Sequence, residues 1–468
     1  MALGRRKSEQ QEAWIATTDL PRSPGHPFYL QLNKLLAEAD FDRWVEKRCV
    51  PYYDAAGRGR PSIPPGTYFR MIFVGYFEGI GSQRGIAWRC SDSRSLAEFL
   101  GISITQATPD HSSLTRVHQR LPLEVHEEVF QFVLKIAREK ELLKGKKVAV
   151  DSTTLEANAA MKSIVRKDSG EDWNEYLKKL AAEAGIEDPT PEELRRFDKG
   201  RNKKVPNDEW ESPTDPDSRI TKMKDGTTHL AYKAEHVVDL DSEFVLAATV
   251  HGGDAADTQT MVDSVLEAQG NLDAAHDVRR ECERDEKKES PVEIKEVAAD
   301  KGYHSDETLE LCQALGLRTY IPEREQRRHR RWTDKPASYQ QAVYVNRRRV
   351  RREKSKRLQR QRSERVERSF AHVCDTGGGR RCWLRGLSKV TKRYLLQIAA
   401  RNLGLLLRKL FGIGTAKSLQ GSFSFICLIY TVASAIGAIG EAIETLWAAI
   451  LTTRCHKHPT PTWSCMWG

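Results

Sequence analysis

Apolar positions in the first third of the chain recur at intervals of three and four residues. Val125, Val129, Phe132, Val133 and Ile136 make one such series, the spacing that places side chains on one face of a helix. Pro64 to Phe77 is an apolar stretch opened by prolines, Arg84 to Cys90 and Ser95 to Leu100 predict short helices, and Thr108-Pro109-Asp110 has the composition of a capped helix start. Residues 26 to 143 therefore read as a helical N-terminal domain. Its proportions around Gly81 to Gly101 are those of a helix-turn-helix, which suits either reading of DNA or a plain helical bundle.

After Lys144-Gly145-Lys146-Lys147 the pattern changes to a short strand, Val148 to Val150, that delivers Asp151 at its end. Strands are predicted again at Thr228 to Asp239 and Phe244 to Val250, followed by a helix from Thr258 to Ala268. Another strand, Glu296 to Ala299, presents Asp300, with a helix from Ser305 to Leu315 and an extended segment from Leu317 to Ile321. Residues 162 to 225 are polar, with a helix near Trp173 to Ala184 and turn formers at Thr214-Asp215-Pro216-Asp217, and read as an insertion or lid. This order of strands and helices is that of a ribonuclease H-like fold, so the class is α+β, with a mixed-sheet second domain from 144 to 411.

Composition changes the picture in one place. The 468 residues carry Lys+Arg 75 against Asp+Glu 65, a net charge of +10. Between Arg324 and Arg368, eighteen basic side chains face five acidic ones, an excess larger than that of the whole chain. Such a run is often a solvated face. Here Trp332, Tyr339 and Tyr344 interrupt it and it abuts a candidate site, so contact with a polyanion is expected. The nine cysteines are scattered without a C-x-x-C pair and read as reduced thiols. Cys455, His456, His458 and Cys465 have metal-binding chemistry but not a usual zinc spacing.

Residues 1 to 25 read as a disordered arm with basic residues and no apolar run behind them, so neither signal peptide nor anchor is expected, and a cytoplasmic, nucleoid-associated location is. Residues 412 to 468 read as an extension of unassigned role. Within it, Gly421 to Gly440 has no charge and is long enough to span a bilayer, but it is rich in Gly, Ser, Thr and Ala, and Glu441 and Glu444 follow at once. A buried or disordered extension is expected there, and no membrane partner.

The chemistry begins with Asp151 and Asp300 at the ends of two strands. Hard divalent cations prefer a few carboxylate oxygens and leave positions for water and phosphate. Strand-end aspartates are also common turn and cap residues, so either alone says little. A third carboxylate comes from Glu367, on a helix whose apolar face runs through Val366, Phe370 and Val373. Glu364, one turn earlier, competes for the role, and periodicity does not separate the two.

Several stretches together resemble a known family: GRPSIPPGTYFRMIFVGYFEGIGSQRGIAWRC, TPDHSSLTRVHQRL, VAVDSTTLEANAA, HLAYKAEHVVD, VAADKGYHS, VERSFAHV and GGGRRCWLRGLSKVTKRYLLQIAARNL. In this order, over about residues 26 to 411, they are similar to bacterial insertion-sequence transposases with a DDE catalytic domain and a helical N-terminal domain. The resemblance implies that Asp151, Asp300 and Glu367 are catalytic and hold two Mg²⁺ or Mn²⁺ ions, and it selects Glu367 over Glu364. It also implies double-stranded DNA as partner, both terminal inverted repeats and target DNA, a homodimer on DNA, and no small-molecule substrate. Arg347, Arg348, Arg349, Arg362, Arg365 and Arg368 are expected at phosphates, and Tyr303 either on an unpaired base or in packing. Relatives with a tyrosine, arginine, glutamate and lysine signature have those residues where this chain has Arg360, Ser363 and Cys374 around Glu367, so their hairpin-forming cleavage is not implied. The expected activity is cleavage at transposon ends and strand transfer, with a plain metal-dependent DNA nuclease or a catalytically inactive DNA-binding derivative as alternatives.

Overall fold

In the apolar stretch that follows Pro64, Pro65 occupies a first-turn position where its missing N–H costs nothing, and Gly79, at φ +69°, closes the helix in the left-handed conformation. The computed structural model describes residues 25–54, 61–201, 206–223, 226–282, 292–325 and 330–416. Most of the N-terminal arm, the stretch Gly421 to Gly440, and Cys455, His456, His458 and Cys465 lie outside the described residues.

The helices that open the chain are α1 (Pro27–Glu38), α2 (Phe41–Cys49), α3 (Pro65–Glu78), α4 (Gln83–Ser91), α5 (Arg94–Phe99), α6 (His111–Arg120) and α7 (Leu123–Glu139). Helix α3 is apolar on nearly every face and buried along its length, as expected of a central helix. Its one basic residue, Arg70, is satisfied by a bidentate pair with Asp42 (2.9 and 2.7 Å) and by the Phe99 carbonyl, which ties α3 to α2 and α5. The predicted cap is present: the Asp110 carboxylate accepts from the Ser112 N–H at the start of α6.

The sheet begins with β1 (Lys147–Glu156). This strand is longer than expected, because Ser152 to Glu156 continues antiparallel pairing with β5 (Thr228–Asp239). Asp151 therefore lies within the strand and not at its end. The region between them folds: β2 (Val165–Arg166) pairs with β3 (Trp210–Glu211), and α8 (Trp173–Glu183) and α9 (Pro191–Gly200) close a small core of Leu177, Ala181 and Leu194. Its last strand, β4 (Arg219–Lys222), joins the main sheet beside β5. Then follow β6 (Val245–Gly252), α10 (Asp257–Cys282), β7 (Glu296–Ala298), α11 (Asp306–Ala314), β8 (Arg318–Tyr320), α12 (Ala337–Val350), α13 (Glu353–Phe370) and α14 (Leu387–Phe411).

The sheet order is β4-β5-β1-β7-β8, with β6 also paired to β5. Strands β1, β7 and β8 are parallel to one another, while β4, β5 and β6 pair antiparallel, so the sheet is mixed. Helix α10 packs on β5 and β6; α13 packs on β1, β5, β7 and β8. Helix α14, apolar on most faces, packs against α3 and α7 as well as β6. The N-terminal helices and the sheet thus share a core, and residues up to Ile413 form one unit. Among the described residues no helix is long and apolar enough to cross a membrane.

Candidate active site

The parallel register of β1 and β7 sets the first feature. Ala149 is level with Ala298, the last residue of β7; Asp151 and Asp300 each follow two residues further on, Asp151 still within β1 and Asp300 just past the end of β7. Strands this close are about 4.8 Å apart. One Asp151 oxygen accepts from the Ser152 N–H (2.8 Å) and the other from the Arg362 guanidinium (2.6 Å). Asp300 caps the 3-10 turn Lys301–Tyr303, accepting from the Gly302 N–H at 2.6 Å.

Helix α13 brings the cation. Ser355, Leu358, Val366, Ser369 and Phe370 form its buried stripe, and Gln359 anchors it to the sheet by donating to the carbonyls of Ala299 (3.0 Å) and Tyr320 (2.6 Å). Arg362 lies on that stripe, which is why it reaches Asp151. Glu367 is on the helix flank, exposed, and accepts from the Ser363 hydroxyl at 3.1 Å. Glu364 points away, paired with Arg368. Among the described residues no three histidine, cysteine, aspartate or glutamate side chains converge on a common metal position. The structure thus places Asp151 and Asp300 just beyond the last paired positions of two neighbouring chain segments, and among the described residues Glu367 does not join them in a three-carboxylate cluster. The donor set at the pair is all carboxylate oxygen, the chemistry a hard divalent cation takes, and the Arg362 guanidinium already supplies positive charge to Asp151.

Below the aspartates is a polar network that periodicity alone did not single out. In the β1–β5 register, Ser152 faces Glu235 and Thr154 faces Lys233, so these side chains share the sheet face toward α10. The Lys233 ammonium lies 2.8 Å from an Asp257 oxygen, which also accepts from the Ser152 hydroxyl at 3.0 Å. Glu235 is fully buried and accepts from Thr260 (2.8 Å), Ser264 and Tyr303 (2.9 Å). Burial pushes the Glu235 carboxyl above its usual range, against the opposing pull of these donors and Lys233. Burial likewise raises the Tyr303 phenol, keeping it a donor. The HLAYKAEHVVD stretch contained Lys233 and Glu235, but only the pairing register shows what they face.

Tyr303 corrects one expectation. It is 1% exposed with its hydroxyl on Glu235, so it packs the core and does not present a ring to an unpaired base. The arginines also divide. Arg347 is held bidentate by Glu323 (2.8 and 2.9 Å), and Arg368 bridges Glu243 and Glu364. One Arg365 guanidinium nitrogen is buried. Arg349 is half-buried, and its guanidinium is pushed down by that burial. Arg348, Arg351, Arg352, Lys356, Arg357 and Arg360 are exposed along the end of α12 and the outer side of α13.

Comparison with known proteins adds two findings. A family model described as "Transposase domain (DUF772)" matches residues 20–120, and one described as "Transposase DDE domain" matches residues 144–403. No curated protein matches the chain.

Proposed function

The chain belongs to the DDE transposases, whose catalytic-domain model covers more than half of it, and from that premise we propose that it cuts DNA at transposon ends and joins the freed ends to target DNA in a divalent-metal-dependent reaction. The observation that carries this reading is the parallel pairing of β1 with β7, which puts Asp151 within β1 and Asp300 two residues past the last paired position of β7, with Arg362 supplying positive charge from α13.

Two Mg²⁺ or Mn²⁺ ions, when bound, activate the attacking oxygen and stabilise the leaving one. Asp151 and Asp300 would hold them, with Glu367 as the third carboxylate once it gives up its hydrogen bond from Ser363. Arg362, released from Asp151, takes a non-bridging oxygen of the scissile phosphate, as guanidinium forks suit phosphate. The exposed arginines and lysines of α12 and α13 receive the flanking backbone. Joining two transposon ends requires two such sites, hence a dimer on DNA.

Protein, labelled transposon-end DNA and Mg²⁺ test the proposal directly. Nicked ends followed by joined products are expected. Nicks without joining would make the chain a nuclease, and binding without nicking a DNA-binding derivative. Equal cutting in the presence of a chelator would overturn the metal-dependent mechanism.

A further inference from the structure

Lys233 is 5% exposed, and the reaction above gives it no task. A buried ammonium is costly unless charge-paired and hydrogen-bonded. Here it lies between Asp257 (2.8 Å) and Glu235 (3.9 Å), and donates to the Ala255 carbonyl (3.1 Å) and Thr260 (3.2 Å). These partners belong to β5, to the loop entering α10, and to the first turn of α10.

Asp257 reaches both aspartates by different routes. Its Oδ1 accepts from Ser152, the residue whose backbone N–H binds Asp151. Its Oδ2 faces Asp300 across Gly302: a Cβ placed on Gly302 would lie 2.8 Å from Asp257 Oδ2 and 2.8 Å from Asp300 Oδ1. The two carboxylate oxygens are therefore at most twice that distance apart, with only hydrogen between them. Gly302 has no positive φ, so the need for glycine there is one of space. On the far side, Tyr303 fastens the same turn to Glu235.

We propose that Lys233 and Asp257 are positioning residues, Asp257 holding the Asp151 segment through Ser152 and bounding the space open to the Asp300 carboxylate across Gly302, and so set the spacing at which the two aspartates take a divalent cation. This rests on the metal-dependent reading above. Lys233 offsets the charge of Asp257 and Glu235, which lets a third carboxylate stand beside the pair without repelling it. Removing Lys233 leaves that repulsion uncompensated; removing the Asp257 charge leaves Lys233 with Glu235 as its remaining carboxylate partner and frees Ser152 from a charged acceptor. Partners behind metal ligands are commonly worth about 10–100-fold in metal affinity.

The test is Mn²⁺ binding to the full chain without DNA, followed by the electron paramagnetic resonance of the free ion, beside thermal melts in chelator. Asp257→Asn and Lys233→Met are expected to bind Mn²⁺ about tenfold or more weakly. Lys233→Arg, which keeps the charge, should recover part of the loss. Gly302→Ala removes no charge yet places a methyl between the two carboxylates, and should weaken Mn²⁺ in the same way while melting within a few degrees of wild type. Asp257→Asn and Gly302→Ala binding Mn²⁺ as wild type does, while Asp151→Asn has lost it, would overturn the positioning roles alone. Undiminished Mn²⁺ binding by Asp151→Asn would instead overturn the metal assignment on which they rest.

Discussion

Glu367 and Glu364 differ by one helical turn, and their surroundings differ more. Glu364 is tied to Arg368 on the outer side of α13, whereas Glu367 is exposed and, among the described residues, accepts from a neutral hydroxyl, that of Ser363. Asp151→Asn, Asp300→Asn and Glu367→Gln are each expected to cut DNA cleavage by about three orders of magnitude, since a lost cation forfeits several kcal/mol of charge stabilisation. Glu364→Gln should stay within a few-fold of wild type. Single-turnover nicking assays check both, and an inactive Glu364→Gln beside an active Glu367→Gln would reverse the assignment. Arg362 provides a second prediction at this scale. Because it occupies an Asp151 oxygen at 2.6 Å, Arg362→Gln should tighten Mn²⁺ binding in the absence of DNA while slowing cleavage. Isothermal titration with Mn²⁺ that gives weaker binding would show that the guanidinium does not compete with the cation.

At the scale of elements, the basic run resolves into two populations. Arg347 and Arg368 are committed to acidic neighbours, while Arg348, Arg351 and Arg352 are exposed around the α12–α13 junction. Counterion release belongs to the second population: each phosphate contact contributes about 0.9 to the slope of log affinity against log salt. Replacing Arg348, Arg351 and Arg352 by Gln should weaken binding to every duplex and flatten that slope by up to about 2.7. Arg347→Gln alone should leave the slope unchanged, and an equal effect from it would show that the Glu323 pair opens on DNA. The total charge of this segment was legible in the sequence. Its division was not, because the acids that neutralise Arg347 and Arg368 include Glu323, just before the segment, and Glu243, in the turn between β5 and β6.

For the whole molecule, buried histidines are expected to weaken the fold in acid. Burial lowers His118 from 6.5 to about 3 and His126 from 6.5 to about 4. His236, enclosed by Ser369, Tyr394 and the stacked ring of Phe370, is also pushed well below its usual value by burial. The unfolded chain binds these protons first, so stability is fully present above about pH 6.5 and falls below it. The loss continues until the folded values are reached. Each histidine contributes about 1.4 kcal/mol per pH unit in that window. Denaturant melts should therefore lose stability steadily from pH 6.5 to 4, and His236→Gln, able to keep one hydrogen bond, should reduce the slope. An unchanged slope would place the acid response elsewhere. Removal of residues 417 to 468 is expected to leave DNA nicking intact, because each proposed site residue lies within the unit ending at Ile413. A truncated protein that melts normally but no longer nicks would assign the tail a role.

Local information was enough to determine much of this protein. Helices such as α3 and α7 announce themselves through periodicity and end signals, and the strands ending near Asp151 and Asp300 through short apolar runs, because helix and strand formation answer to neighbours along the chain. The carboxylates followed from those strands and from motif resemblance. The tertiary structure alone decided that β1 runs past Asp151 to Glu156, since that extension exists through pairing with β5. It also decided that Tyr303 is buried, that Arg362 meets Asp151, and that Lys233 and Asp257 lie behind the site. These are contacts between residues up to 211 positions apart. A side chain's local pattern says which face of its element it occupies, but what that face meets depends on the register and packing of the distant chain.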